Sequence, residues 1–110
     1  MNPFIARTPE PPYYAVIFSN TKTANDHGYG EMAAKMENLA SEQPGYLGIE
    51  SISDSHGKAI TISYWESEES IRAWKQNTEH LQAQQTGKTT WYEDYAVRIA
   101  KVERAYSMHD

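Results

Sequence analysis

The apolar positions of this chain fall into six runs whose spacing switches between the period of a strand and that of a helix. Residues 13–20, Tyr-Tyr-Ala-Val-Ile-Phe-Ser-Asn, are dense in aromatic and β-branched side chains and predict a first strand. Upstream of it, Pro3, Pro9, Pro11 and Pro12 lack the N–H that a ladder or helix requires, so residues 1–12 read as an extended arm. Asn25, Asp26 and Gly28 mark a turn, with Asp26 placed to cap a helix. In that helix Tyr29, Met32, Met36, Leu39 and Ala40 recur three and four apart on one face, and Gln43-Pro44-Gly45 ends it. Residues 46–53 and 58–65 form two further runs joined by Asp54-Ser-His-Gly57, the composition of a hairpin loop. In the second of them Ile60, Ile62 and Tyr64 share one face, Thr61 and Ser63 the other. Ser67 and Ser70 compete to cap a second helix, whose first turn carries Glu68 and Glu69 where the helix dipole favours carboxylates; it runs to about Gln85, before Gly87. Residues 91–106 alternate enough to predict one long final strand.

The order β-α-β-β-α-β predicts an α+β, ferredoxin-like domain over residues 13–106: four antiparallel strands with both helices on one face, followed by a short tail, 107–110. A final strand of that length exceeds the usual five or six residues, and the sheet's second face has no helix to cover it. Both points favour a homodimer in which two sheets meet face to face around a shared barrel.

Advancing 100° per residue around the second helix places Ile71, Thr78, Leu81 and Gln85 near Trp74, which makes Trp74 the middle of the inward stripe. Asn77, His80 and Gln84 gather on one flank of that stripe. Two readings stand side by side: Trp74 as packing and the flank as a solvated helix edge, or Trp74 as the apolar wall of a cavity whose polar end is fixed by the amides and imidazole. In the second reading His80 acts as a base near neutral pH. Arg98 shares a strand face with Ala96, Ala100 and Val102, so it calls for a carboxylate, such as Asp94 or one across a dimer, or for an anionic ligand. Asn20 closes the first strand as a turn residue or a ligand contact. His27, His56 and His109 are too scattered for a metal cluster, and Gly28-Tyr-Gly30 is a weak match to any phosphate loop.

Composition narrows the chemistry. A length of 110 residues suits one domain, and 15 acidic against 10 basic residues argue against binding nucleic acid or an anionic membrane. The absence of cysteine removes thiolate zinc sites, disulfides and a cysteine nucleophile, and fits a reducing cytoplasm. No run approaches the ~20 apolar residues of a membrane span, so a soluble cytoplasmic protein is expected. Eight tyrosines, three tryptophans and two phenylalanines point to a core or pocket with polar edges.

Pro44-Gly-Tyr-Leu-Gly-Ile-Glu50, Tyr64-Trp-Glu-Ser-Glu-Glu-Ser-Ile-Arg-Ala-Trp74, Glu79-His80 and Trp91-Tyr-Glu-Asp-Tyr95 followed by Arg98 together resemble the antibiotic biosynthesis monooxygenase domain family, over roughly residues 13–106. The resemblance implies a ferredoxin-like dimeric α/β barrel. Its cofactor-free members oxidise phenolic or quinol-like molecules by letting the ionised substrate reduce O2, which needs a dry pocket and a group that favours the anion. No metal or flavin is then required. On this reading Trp74 is the wall, His80 the base, and Asn77 and Arg98, with Asn20 and Gln84, orient the substrate. The haem-degrading branch of the superfamily combines an Asn on the first strand, a Trp on the second helix and an iron-ligating His. Trp74 matches that Trp through the preceding Trp65-Glu-Ser67, but the histidine position, ten residues on, holds Gln84, while His80 lies six after Trp74. Haem is thus the secondary cofactor expectation, and a non-catalytic small-molecule-binding dimer is the alternative outside enzymes.

Overall fold

In the computed structural model, residues 4–24, 29–84 and 91–108 are described, residues 79–84 by their backbone alone. The elements are β1 (Tyr13–Lys22), α1 (Tyr29–Ser41), β2 (Tyr46–Ser53), β3 (Lys58–Trp65), α2 (Glu68–Gln84) and β4 (Tyr92–Val102). They build a four-stranded sheet in the order β2-β3-β1-β4, with antiparallel pairing of β1 to β3, β1 to β4 and β2 to β3. This is the expected ferredoxin-like arrangement. The hairpin Asp54–Gly57 closes as predicted: the Asp54 carboxylate accepts the backbone N–H groups of His56 and Lys58, both at 2.9 Å. The predicted Asp26 cap, and His27 and His109, lie outside the described residues.

One element is shorter than its pattern. The alternation over residues 91–106 predicts a strand throughout, yet β4 ends at Val102, opposite Tyr13. The cause is the partner: β1 begins only after Pro11 and Pro12, so residues 103–106 have no neighbouring ladder to pair with. At the start of α2 the two candidate caps act together. The Ser70 N–H donates to Ser67 Oγ at 3.1 Å and the Ser67 N–H donates to Ser70 Oγ at 3.3 Å, a reciprocal box with serine in the place usually held by glutamate.

The core lies on the helix side of the sheet, at one end. Trp65 is fully buried beside Ala40 of α1 and Ile71 of α2, with Tyr14, Val16, Tyr46 and Trp74 packed around it. Met32 and Ala40 are the buried residues of α1, as its three-and-four spacing implies. Because side chains alternate, Trp65 puts Ser63 and Thr61 on the same helix-facing side, and Trp65 Nε1 donates to Ser63 Oγ at 2.9 Å. Ile60, Ile62 and Tyr64 therefore face away from the helices. So do Ala15, Ile17, Ile52, Ala96, Arg98 and Ala100, by their register with β1 and β3. The face the helices leave uncovered is thus also rich in apolar side chains, Ile17, Ile52, Ile60 and Ile62 among them.

Part of that open face is covered by the arm. Ala6 N–H donates to Glu50 Oε2 at 2.9 Å and Thr8 Oγ1 donates to the Tyr13 hydroxyl at 2.9 Å. A Cβ on Gly48 would come 2.9 Å from the Cβ of Ala6, so glycine is what lets the arm lie this close to β2. Under it Tyr64 donates to Glu50 Oε1 at 2.7 Å, and its phenol is held well above the ordinary tyrosine range by burial first and by that carboxylate second.

Candidate functional site

The far end of the helix side differs from the core end. Six residues along β1 from Tyr14, about 20 Å at the usual strand rise, stands Asn20. It is only 7% exposed, and neither its Nδ2 nor its Oδ1 has a hydrogen-bond partner among the described residues. A buried carboxamide with nothing to bond costs about 1–3 kcal/mol, so a fold keeps one where something else completes it. Its parity with Tyr14, Val16 and Phe18 aims it to the helix side, and Ala59 and Tyr95 are its neighbours across the sheet.

Aromatic rings cluster at the same end of β1 as this amide. Phe18 meets Tyr92 at 5.4 Å and Tyr95 at 5.8 Å between centroids. Tyr29, opening α1, meets Tyr92 and Trp91 edge to face at 5.7 and 5.8 Å, and the Lys22 ammonium sits 4.7 Å above the Tyr29 ring. The Tyr92 hydroxyl donates to that of Tyr29 at 3.3 Å. Burial, and next the bond to Tyr29, push the Tyr92 phenol far above its ordinary range, so at neutral pH it is a donor and not a base. Tyr95 is largely exposed. On β2 and β3 the same side carries hydroxyls: Ser51 Oγ lies 2.9 Å from Thr61 Oγ1.

The residues singled out from the sequence are not one constellation. Trp74 faces the sheet as expected, but it stacks on Trp65 at 6.0 Å within the core and is a wall of the opposite end of the helix side from Asn20. Asn77 is exposed, and its Nδ2 donates to Gln43 Oε1 at 3.0 Å, tying α2 to the end of α1. The side chains of His80 and Gln84 lie outside the described residues. By its register with Ile17, Arg98 points to the open face, away from Trp74 and opposite in parity to Asn20, although Asn20 and Arg98 both border the depression at this end of the sheet. There it is exposed, without an ion pair to Asp94 or any other described residue, in a broad depression of about 540 Å³ that also includes Lys58, Asp94, Ile52 and Ile60.

The aromatic group around Phe18, Tyr29, Tyr92 and Tyr95 escaped sequence reasoning, which weighed helix spacings and left β4 without a register. The excess of tyrosine was its one visible signal. Among the described residues no group of three or more His, Cys, Asp or Glu converges to hold a metal, and no described helix is long and apolar enough to cross a membrane. For haem, the helix position at which haem-degrading proteins carry the iron-ligating histidine is Gln84, an amide, so the chain does not offer that ligand there.

Comparison with known proteins agrees with this architecture. YqjZ of Bacillus subtilis strain 168, itself uncharacterized, is 55% identical over 104 residues, covering 94% of this chain and 91% of that protein. Among solved structures, a mutant of SnoaB, a cofactor-independent oxygenase from Streptomyces nogalater, superposes with a TM-score of 0.69 at 9% identity over 86% of this chain and 97% of that one. MhuD, solved with two manganese protoporphyrin IX molecules per active site, gives a TM-score of 0.60 at 17% identity over 86% and 98%. At these identities the two structures attest the fold. The model of the family described as antibiotic biosynthesis monooxygenase matches residues 12–86, and with that match and the identity to YqjZ the chain belongs to the antibiotic biosynthesis monooxygenase family.

Proposed function

We propose that the protein is a cofactor-independent monooxygenase of a phenolic or quinol-like small molecule, bound on the helix side of the sheet with its oxygen on Asn20. The observation that carries this reading is the buried, unpartnered amide of Asn20 beside a wall of aromatic rings. Asn20 Nδ2 donates to the substrate oxygen and favours its anion, which is the form that gives an electron to O2. The phenoxyl and superoxide radicals then combine at the para carbon as a hydroperoxide. Loss of the para hydrogen as a proton, with cleavage of the O–O bond, releases one water and leaves the second oxygen as a carbonyl. Phenol plus O2 thus becomes quinone plus water, with no outside reductant. His80 on α2 is the proton acceptor in this account, because the phenol of Tyr92 is held protonated.

The apolar open face supports a homodimer as the working form, since Ile52 and Ile60 remain exposed on it. The protoporphyrin bound by MhuD gives no support to haem here, given Gln84. The test is oxygen uptake by chelator-treated protein offered a panel of electron-rich phenols. Uptake that falls at least ~100-fold in Asn20→Ala, the scale of losing one oxyanion donor, supports the reading. Equal uptake by both proteins removes Asn20 from the chemistry.

A further inference from the structure

The open face is uneven: the arm stands on it as a ridge at one end, and the depression lies at the other. The ridge crosses at Gly48, Glu50 and Tyr13. The depression opens around Ser19, Thr21, Ile52, Lys58 and Ile60, six to eight residues along β1 from Tyr13. Both carry uncovered apolar side chains. Phe4 and Ile5 of the arm are 58% and 66% exposed, and Ile52 and Ile60 are 64% and 45% exposed.

From this geometry we infer that the arm is a clasp: in the homodimer, Phe4 and Ile5 of each subunit seat in the depression around Ile52 and Ile60 of the other. The inference rests on the dimer reading above and gives it a direction. A two-fold interface uses the same patch twice, residue i meeting j and j meeting i. Ridge against ridge would hold the sheets apart and leave both depressions empty. Ridge into depression closes both at once and covers four exposed apolar side chains per subunit, Phe4, Ile5, Ile52 and Ile60. Gly48 and Glu50 are then what shape the interface, by fixing the arm on its own sheet before the partner arrives.

The chain has no cysteine, so engineered disulfides report without background. Ile5→Cys and Ile60→Cys are made separately, checked by light scattering, mixed to exchange subunits and oxidised. The expected result is a dimer by light scattering and a covalent dimer in the mixture but in neither variant alone. A dimer whose mixture does not cross-link, or a covalent dimer from Ile5→Cys alone, overturns the clasp and leaves the dimer reading intact. A monomer at every concentration up to about 100 μM, where even a weak dimer would form, overturns both. Should either variant fail to fold, Phe4→Cys with Ile52→Cys repeats the test at neighbouring positions.

Discussion

Asn20 and Trp65 are both buried on the helix side of one sheet, and they predict opposite responses to substitution. Trp65 is fully buried, packed against Tyr46 and Trp74, so Trp65→Ala should cost about 3–5 kcal/mol and show as a large drop in melting temperature. The Asn20 side chain makes no hydrogen bond among the described residues. Asn20→Leu therefore removes a desolvation penalty and should leave the melting temperature unchanged or raised while substrate turnover is lost, the trade expected where stability is given up for function. A fall in stability matching that of Trp65→Ala would mark Asn20 as structural. Neither role was legible from residue type. Trp74 looked central on its helix, and the helical wheel was right about that, but which tryptophan sits at the centre of the core depends on α2 landing on β3. The burial of Asn20 likewise depends on what the whole fold lays over the end of β1.

At the scale of elements, the period-two runs predicted β2 and β3 residue for residue, because a short hairpin bounds both strands. β4 was overextended because alternation says nothing about whether a partner strand is there. Alternation also left open which face the helices would cover, and the answer, the face of Thr61 and Ser63, follows from Trp65 at the strand's end. The same step put Arg98 on the far side of the sheet from Trp74, a separation that only the pairing with β1 reveals. Turn positions are sharper. Gly45 has φ of +86°, and a Cβ there would lie 2.7 Å from the Cβ of Ser70. Gly45→Ala should cost about 1–3 kcal/mol in a denaturant melt, through backbone strain and displacement of the first turn of α2. Asp54 gives a pH signature. The Lys58 N–H first and the His56 N–H second hold its carboxyl below the ordinary 3.8. Its contribution is therefore present above that value and lost as the pH falls through the lowered one. Acid titration of the amide signals of His56 and Lys58 should report a midpoint below 3.8, and Asp54→Ala should remove it.

The whole molecule joins a helix side with a small core at one end and an aromatic-walled amide at the other to an open face that is apolar and half-shielded by the arm. Its phenols give a global test. Tyr64 and Tyr92 have pKa values raised above the ordinary 10.0, Tyr64 by burial and Glu50, Tyr92 by burial and Tyr29. The stability they confer is complete below pH 10 and is lost as the pH rises, because the unfolded chain releases those protons more readily. Melting temperature should fall between pH 9.5 and 11.5, about the span over which ordinary tyrosines ionise, and less steeply in Tyr92→Phe. Fewer tyrosines should ionise before unfolding than the eight in the sequence. The oxygenation claim itself is tested most directly by isotope. Chelator-treated, flavin-free protein supplied with ¹⁸O2 and an electron-rich phenol should place one labelled oxygen in each quinone and the other in water. Unlabelled product, or turnover that returns only on adding haem or a metal, would contradict the account.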